Sequence, residues 1–300
     1  MRLIADIGGT NARFALCGPD GVRDVQILPV ADFPDFAAAM AAFLGAGREV
    51  ASAAIAAAGP RDGDAVSLTN APWRIAAGEV SRALGGAPVR VLNDLEAVAL
   101  GLPGLSAEDV EPIAETIGGT PAGGSAGGAA LPMLAANIGT GFGAAVAVPG
   151  PGGWIALGTE AGHISLVPAT PGEEAMLRAA RSVEDAFSGP AYAKLFGGAV
   201  RDGGETVHPV RDTALGEERH LYSRVFGRVL GDLVLATGAW GGVWLCGGVV
   251  TDFHRIFDCG EFLRAFRRKS RMAARMERVP VFRITLDAPA LHSLATVPVP

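Results

Sequence analysis

Residues 5–16, Ala-Asp-Ile-Gly-Gly-Thr-Asn-Ala-Arg-Phe-Ala-Leu, set an aspartate and a Gly-Gly-Thr-Asn turn between two apolar runs. Leu3, Ile4 and Ile7 before the turn and Phe14, Ala15 and Leu16 after it predict the two strands of a tight hairpin. Its glycines permit positive φ and close approach of an anion to the backbone. The N–H groups of the turn and the Thr10 hydroxyl would then face that anion. Asp6 repels a bare phosphate, so its place beside the turn calls for a divalent cation, or the cation's water shell, between the two. The expected ligand is a magnesium nucleotide, held by Asp6, Gly8, Gly9, Thr10 and Asn11, with Asp6 reaching Mg2+ through water.

Composition bounds the rest without choosing it. Three hundred residues, 49% of them hydrophobic, suffice for a large core in one large or two moderate domains. No uninterrupted apolar stretch reaches the roughly 20 residues that span a bilayer, and Asp6 interrupts the N-terminal apolar run, so a soluble cytoplasmic protein is expected. Cys17, Cys246 and Cys259 are odd in number and far apart, which points to reduced thiols and not to a disulfide framework or a zinc site. A net charge of −6 argues against non-specific nucleic-acid binding. The local basic run Arg264, Arg267, Arg268, Lys269 and Arg271, with Arg275 and Arg278 beyond it, reads as the solvated face of a helix.

Strand-like and helix-like segments alternate, the pattern of an α/β protein. Strands are expected at 3–7, 13–18, 53–58, 89–92, 134–138, 144–148, 163–167, 243–246 and 281–286. Helices are expected at 35–44, 94–101, 173–181, 183–196, 219–238 and 260–277. The glycine-rich stretches 118–130 and 197–216 read as loops, the first of them mobile.

The opening motif has an echo. Asp6-Ile7-Gly8-Gly9-Thr10 recurs in outline as Asn137-Ile138-Gly139-Thr140-Gly141, again followed by an apolar run, Ala144 to Val148. Two such hairpins predict two similar half-molecules gripping the ligand from either side of a cleft whose closure excludes water. A lysine-dependent P-loop is excluded, because Lys194 and Lys269 follow Ala and Arg and not Gly. The second loop also lacks the dinucleotide-binding spacing, and protein-kinase signatures are missing. A phosphotransferase that binds phosphates through turns remains.

Such an enzyme needs an acceptor and a base. Val89 to Leu92 runs as a strand into Asn93-Asp94, then Leu95 to Leu100 at helical spacing. Asp94 at that junction suits either a helix N-cap or a base that takes the proton of a substrate hydroxyl attacking a γ-phosphoryl group, with Asn93 bonding a neighbouring hydroxyl. After the second turn comes Gly158-Thr-Glu160-Ala-Gly-His163. The flanking glycines disfavour a helical Glu-x-x-His metal motif. Glu160 and His163 suit a polyol instead, since a carboxylate accepts two hydroxyl bonds and an imidazole donates or accepts one. Glu184, ahead of Phe187-Ser-Gly-Pro190, is a further acidic candidate; alone it reads as an exposed helix residue.

Together these segments resemble the bacterial glucokinases of the non-ROK type, within the hexokinase/actin-like ATPase superfamily. The likeness runs nearly end to end, through Asp6-Ile-Gly-Gly-Thr-Asn-Ala-Arg, Leu68-Thr-Asn-Ala-Pro-Trp73, Leu92-Asn-Asp-Leu-Glu-Ala97, Gly139-Thr-Gly-Phe-Gly143, Glu160-Ala-Gly-His163, Val183-Glu184 with Ser188-Gly-Pro190, and Gly241-Gly-Val-Trp-Leu-Cys-Gly-Gly-Val249. It implies a duplicated ribonuclease-H-like fold of two lobes around a central cleft. Residues 1–97 with 286–300 would form the small lobe and 98–285 the large one. It implies ATP-dependent phosphorylation of glucose at the 6-hydroxyl, with Asp94 as base and Asn70, Asn93, Asp94, Glu160, His163 and Glu184 at the sugar. Gly8, Gly9 and Thr10, and Gly139, Thr140 and Gly141, match the two phosphate loops, while Gly247 and Gly248 lie in the segment matching the adenosine-side wall. The family also suggests a homodimer.

One stretch departs from the pattern. Where the family usually has an Asn-Pro-Gly-Leu-Leu-Gly-like opening to its last helix, this chain has Asp287-Ala-Pro-Ala-Leu-His-Ser293. That helix is expected to be short or lost, with consequences for lobe closure and rate more than for sugar recognition. Two other functions fit the same residues: a kinase for another hexose, such as mannose or an amino sugar, and a non-catalytic sugar-binding regulator, against which the retained Asp94 argues.

Overall fold

The computed structural model describes residues 1–113, 130–196, 199–200, 206–207, 216–251 and 253–300. By contacts the chain divides into two compact units, Met1–Gly101 with Asp287–Pro300, and Leu102–Leu286.

In the first unit the opening motif forms β1 (Arg2–Ile7) and β2 (Asn11–Gly18), antiparallel, with Ile7 opposite Ala12 and Asp6 opposite Arg13. The chain adds β3 (Gly21–Pro29) beside β2, crosses through α1 (Phe36–Leu44), and returns as β4 (Ser52–Ala57), parallel to β1. Then β5 (Val89–Asn93), parallel to β4, runs straight into α2 (Asp94–Gly101). The sheet order is β3-β2-β1-β4-β5. Asp35 caps α1 by accepting the Ala38 N–H, 2.8 Å away. That helix buries Phe36 and Phe43 against Phe14, at ring-centroid distances of 5.7 and 5.3 Å. The nearly all-exposed β3 carries no apolar periodicity, so the sequence did not announce it.

The second unit repeats the plan. Its strands β6 (Met133–Ile138) and β7 (Phe142–Gly150) form the echo hairpin, and β8 (Gly153–Thr159) pairs with β7. After α3 (Val183–Ala186), α4 (Gly189–Phe196) and α5 (Gly216–Thr237), β9 (Gly242–Cys246) returns parallel to β6. Past α6 (Cys259–Arg267), β10 (Val281–Ile284) lies parallel to β9 and the short strand Val110–Pro112 closes the edge antiparallel. The order β8-β7-β6-β9-β10 is that of the first sheet, strand for strand in direction as well as position. Phe187, Tyr222, Phe226, Phe257 and Phe262, all fully buried, fill the helical side of this sheet.

Several expected elements differ. Residues 163–167 form no strand: a 3-10 turn at Ala161–His163 is followed by a single bridge, Ser165 to Ser182. The helix expected over 183–196 breaks at Phe187-Ser188, where Phe187 turns into the core and Pro190, lacking an N–H, starts a new helix well. The helix expected over 173–181 is shorter, Pro171–Met176. The segment 260–277 splits at Lys269-Ser270, where Ser270 takes φ 48°. Its basic run is therefore not one solvated face. Lys269 is buried against the Arg228 carbonyl and Asp232, and Arg275 stacks on Trp240 with 3.8 Å from its guanidinium carbon to the ring centroid. The loops expected at 118–130 and 197–216 lie largely outside the described residues, and within the second Ala199–Val200 and Thr206–Val207 pair as two short antiparallel strands.

The last helix, α7 (Pro289–Leu294), is short but present. Its Ser293 sits directly on Gly101, the final residue of α2, and a β-carbon at Gly101 would overlap the Ser293 hydroxyl. Arg2 then ties down the chain end, donating to the carbonyls of Leu294, Ala295 and Val297 at 2.9–3.3 Å. Gly101→Ala is expected to destabilise the protein by about 1–3 kcal/mol through overpacking. Ser293→Gly in the same chain should recover most of that loss, both read from urea denaturation midpoints.

Candidate active site

The parallel strands of the first unit end level: Ile7 pairs with Ala57, and Ala57 with Asn93. The chain therefore leaves this sheet edge three times, at the Gly8 turn, at Ala58-Gly59 and at Asn93-Asp94. Ligands of open α/β sheets bind outside such carboxyl ends. The turn is closed by the Gly8 N–H donating to the Asn11 carbonyl, 2.9 Å, and by Val30 N–H donating to Thr10, 2.8 Å. Asn70 stands on it, its Cβ 2.8 Å from where a β-carbon on Gly9 would lie.

Asp6 and Arg13, opposed in register, form a 3.7 Å ion pair. Burial nevertheless raises the Asp6 carboxyl above its ordinary value, with Arg13 opposing the shift. Arg13 is a site neighbour that the sequence signals only through the tight hairpin, whose register fixes which residue faces Asp6. Asp94 is half-buried, and its carboxyl is pushed up to about 7. Desolvation is the main cause and the Asp6 charge adds to it; hydrogen bonds from the Leu95 N–H and the Asn93 side chain pull the other way.

Asn93, not Asp94, caps α2. Its Oδ1 accepts from the Leu95 and Glu96 N–H groups at 2.9 and 3.4 Å, and its Nδ2 donates to the Gly59 carbonyl at 3.0 Å. Glu96, buried, accepts from the Asn93 N–H and from Arg61, both at 3.1 Å. This network holds the start of α2 against the Gly59 loop, and Asp94 Oδ1 shares the Leu95 N–H with Asn93, at 3.0 Å.

In the second unit Asn137 pairs with Cys246 and Leu245 with Arg283, so its turns also gather at one strand-end edge. The loop between paired residues Ile138 and Phe142 is Gly139-Thr140-Gly141, one residue shorter than its counterpart between Ile7 and Ala12. Gly139 N–H donates to the Gly141 carbonyl, 3.0 Å, and Gly189 N–H to the Gly139 carbonyl, 2.7 Å. Gly247, at φ 99°, lies hard against Ile138 and Asn137, bringing Gly247 and Gly248 beside this turn. Glu160 and His163 share the 3-10 turn and face each other at 3.8 Å, with side chains 77% and 69% exposed. Glu184 is not a free surface residue: its Oε2 accepts the Phe142 N–H at 2.8 Å. Among the described residues no three acidic, histidine or cysteine side chains cluster as a metal cage.

The repeated strand order with a glycine turn at each strand-end edge defines the ribonuclease-H-like, actin-like ATPase class of fold. The sequence profile of the glucokinase family matches residues 3–298, and the chain belongs to that family. It is 34% identical to the glucokinase of Chromobacterium violaceum, over 98% of this chain and 88% of that protein. It is also 34% identical to the bifunctional protein glk of Paraburkholderia xenovorans, over 99% of this chain; the chain spans about half (48%) of the length of that curated relative. A solved glucokinase from an Antarctic psychrotroph superimposes with a TM-score of 0.74 at 27% identity, covering 98% of this chain and 97% of that one. Solved structures under 25% identical, ROK sugar kinases among them, share the fold alone. No helix among the described residues is long and apolar enough to cross a membrane.

The raised Asp94 carboxyl fixes a sign for stability. Folded Asp94 holds its proton up to about pH 7, whereas the unfolded carboxyl loses it near 3.8. Folding is therefore penalised increasingly as pH rises from about 4 to about 7, and fully above that. Asp94→Asn removes the penalty: it should be roughly 1–3 kcal/mol more stable than the parent at pH 8 and nearly equal at pH 4. Urea titrations at the two pH values check this, and a gain independent of pH would contradict it.

Proposed function

We propose that this chain transfers the γ-phosphoryl group of ATP to the 6-hydroxyl of glucose, with Asp94 as general base. One observation carries the reading: a half-buried carboxyl pushed up to about 7 stands at the same sheet edge as a glycine turn suited to phosphate. A base of that pKa is ionised enough near neutrality to accept a proton, and basic enough to want it. In the step proposed, Asp94 takes the hydroxyl proton as O6 bonds to the γ-phosphorus. The bond from that phosphorus to the β,γ-bridging oxygen breaks, ADP leaves, and the proton stays on Asp94.

Asp6 suits Mg2+. It offers a hard carboxylate next to the turn that would reach the ion through water, and with no protein cage among the described residues the coordination positions would fall to water and phosphate, as magnesium prefers. When bound, the ion would neutralise phosphate charge. Gly8, Gly9, Thr10 and Asn11 in one unit and Gly139, Thr140 and Gly141 in the other are assigned to phosphates, Gly247 and Gly248 to the adenosine side. Asn70, Asn93, Glu160, His163 and Glu184 are assigned to sugar hydroxyls. The scattered cysteines, Cys17, Cys246 and Cys259, favour the non-ROK branch, since ROK kinases carry a metal-binding cysteine cluster.

An ATP-coupled assay across glucose, mannose and amino sugars tests the substrate; preference for another epimer would reassign it. Asp94→Asn should lower kcat by about 10²–10⁴ while glucose binding, followed by calorimetry, largely survives. In the parent enzyme kcat/KM for the sugar should rise with pH along an acid limb near 7, because only ionised Asp94 is a base. Unchanged turnover in the variant would remove Asp94 from the role.

A further inference from the structure

Glu184 does something that sugar binding does not require. Its Oε2 accepts the N–H of Phe142, the first residue after the second glycine turn, at 2.8 Å. A β-carbon on Gly141 would overlap that same oxygen, so the carboxylate is seated against the turn itself. On its other side Glu184 Cβ lies 3.5 Å from where a β-carbon of Gly162 would stand, and Gly162 also rests on the Phe142 carbonyl. The side chain thus touches both the turn assigned to phosphate and the turn that carries Glu160 and His163. Its own backbone is firmly held. A Ser182–Asp185 capping box starts α3, and Val183 N–H donates to the Ile164 carbonyl at 3.0 Å.

We infer that Glu184 is a positioning residue for the nucleotide turn as well as a sugar ligand, and that it couples the two ligands. The inference rests on the functional reading above and deepens it. With Oε2 committed to Phe142, Oε1 is left for a sugar hydroxyl. A hydroxyl bound there steadies the carboxylate, the carboxylate steadies Gly139-Thr140-Gly141, and by linkage each ligand tightens the other.

The test is calorimetric binding of a non-hydrolysable ATP analogue with Mg2+, with and without glucose. Glu184→Ala orphans the Phe142 N–H and should weaken the analogue about tenfold even without sugar. Glu184→Gln keeps an acceptor oxygen and should hold analogue affinity near the parent value while glucose affinity falls. Gly141→Ala drives a methyl group into Oε2 and should weaken the analogue in the parent, but much less in the Glu184→Ala background, a non-additivity that a purely structural defect would not give. Analogue affinity unchanged in Glu184→Ala, or additive effects in the double variant, overturns the inference and leaves the kinase reading standing. A parent protein that binds neither analogue nor glucose overturns both.

Discussion

The site of the first unit depends on one registration: Ile7 beside Ala57, and Ala57 beside Asn93, in three parallel strands. A strand's side chains alternate between faces, so a slip of one residue in either pairing would send Asp6 or Asp94 to the wrong side of the sheet. Held level, the strands release the chain at one edge three times, and polar groups from distant parts of the sequence arrive together. The Asp94 carboxyl is raised partly because Asp6 is near, and Asp6 is near because β1 and β5 flank the same β4. Buried Ala54, Ile55, Ala56 and Ala57 make β4 an unobtrusive spacer between the two carboxylates.

The second unit has the same strand order with different side chains at its edge. Where the first has Asp6 facing Arg13, the second has Asn137 facing Gly143, a neutral pair at the corresponding strand end. Its turn is one residue shorter, and its support comes from outside the hairpin, through Glu184 and Gly189. The two carboxylates with raised pKa, Asp6 and Asp94, thus belong to the first unit. The second has a neutral, hydrogen-bonded turn and an exposed Glu160–His163 pair.

Much of this was legible in the sequence where local rules decide. Glycine turns between apolar runs announced both hairpins, and a strand running into helical spacing announced the Asn93-Asp94 junction. What escaped depended on tertiary context. The pattern around Asp94 suits a cap, but the Gly59 carbonyl and Glu96 orient Asn93 into that role, and Asp94 keeps only a shared bond from the Leu95 N–H. His163 looked as though it entered a strand because Ile164 to Val167 is largely apolar, yet Ile164 and Val167 are exposed and the segment pairs only at Ser165. Glu184 read as a surface residue, and only the fold brings Phe142 to it. The edge strand β3 and the break at Ser270 leave no periodic trace, since one is exposed at all but Leu28 and the other turns on the burial of the Lys269 side chain.

In the proposed function a phosphoryl group passes from ATP to one particular sugar oxygen. The most direct measurement is two-dimensional phosphorus–proton NMR of the product formed from ATP, Mg2+ and glucose. The expected result is a new phosphomonoester signal correlated with the two C6 protons of glucose. A signal correlated with another ring position, or inorganic phosphate as the sole product, would contradict it.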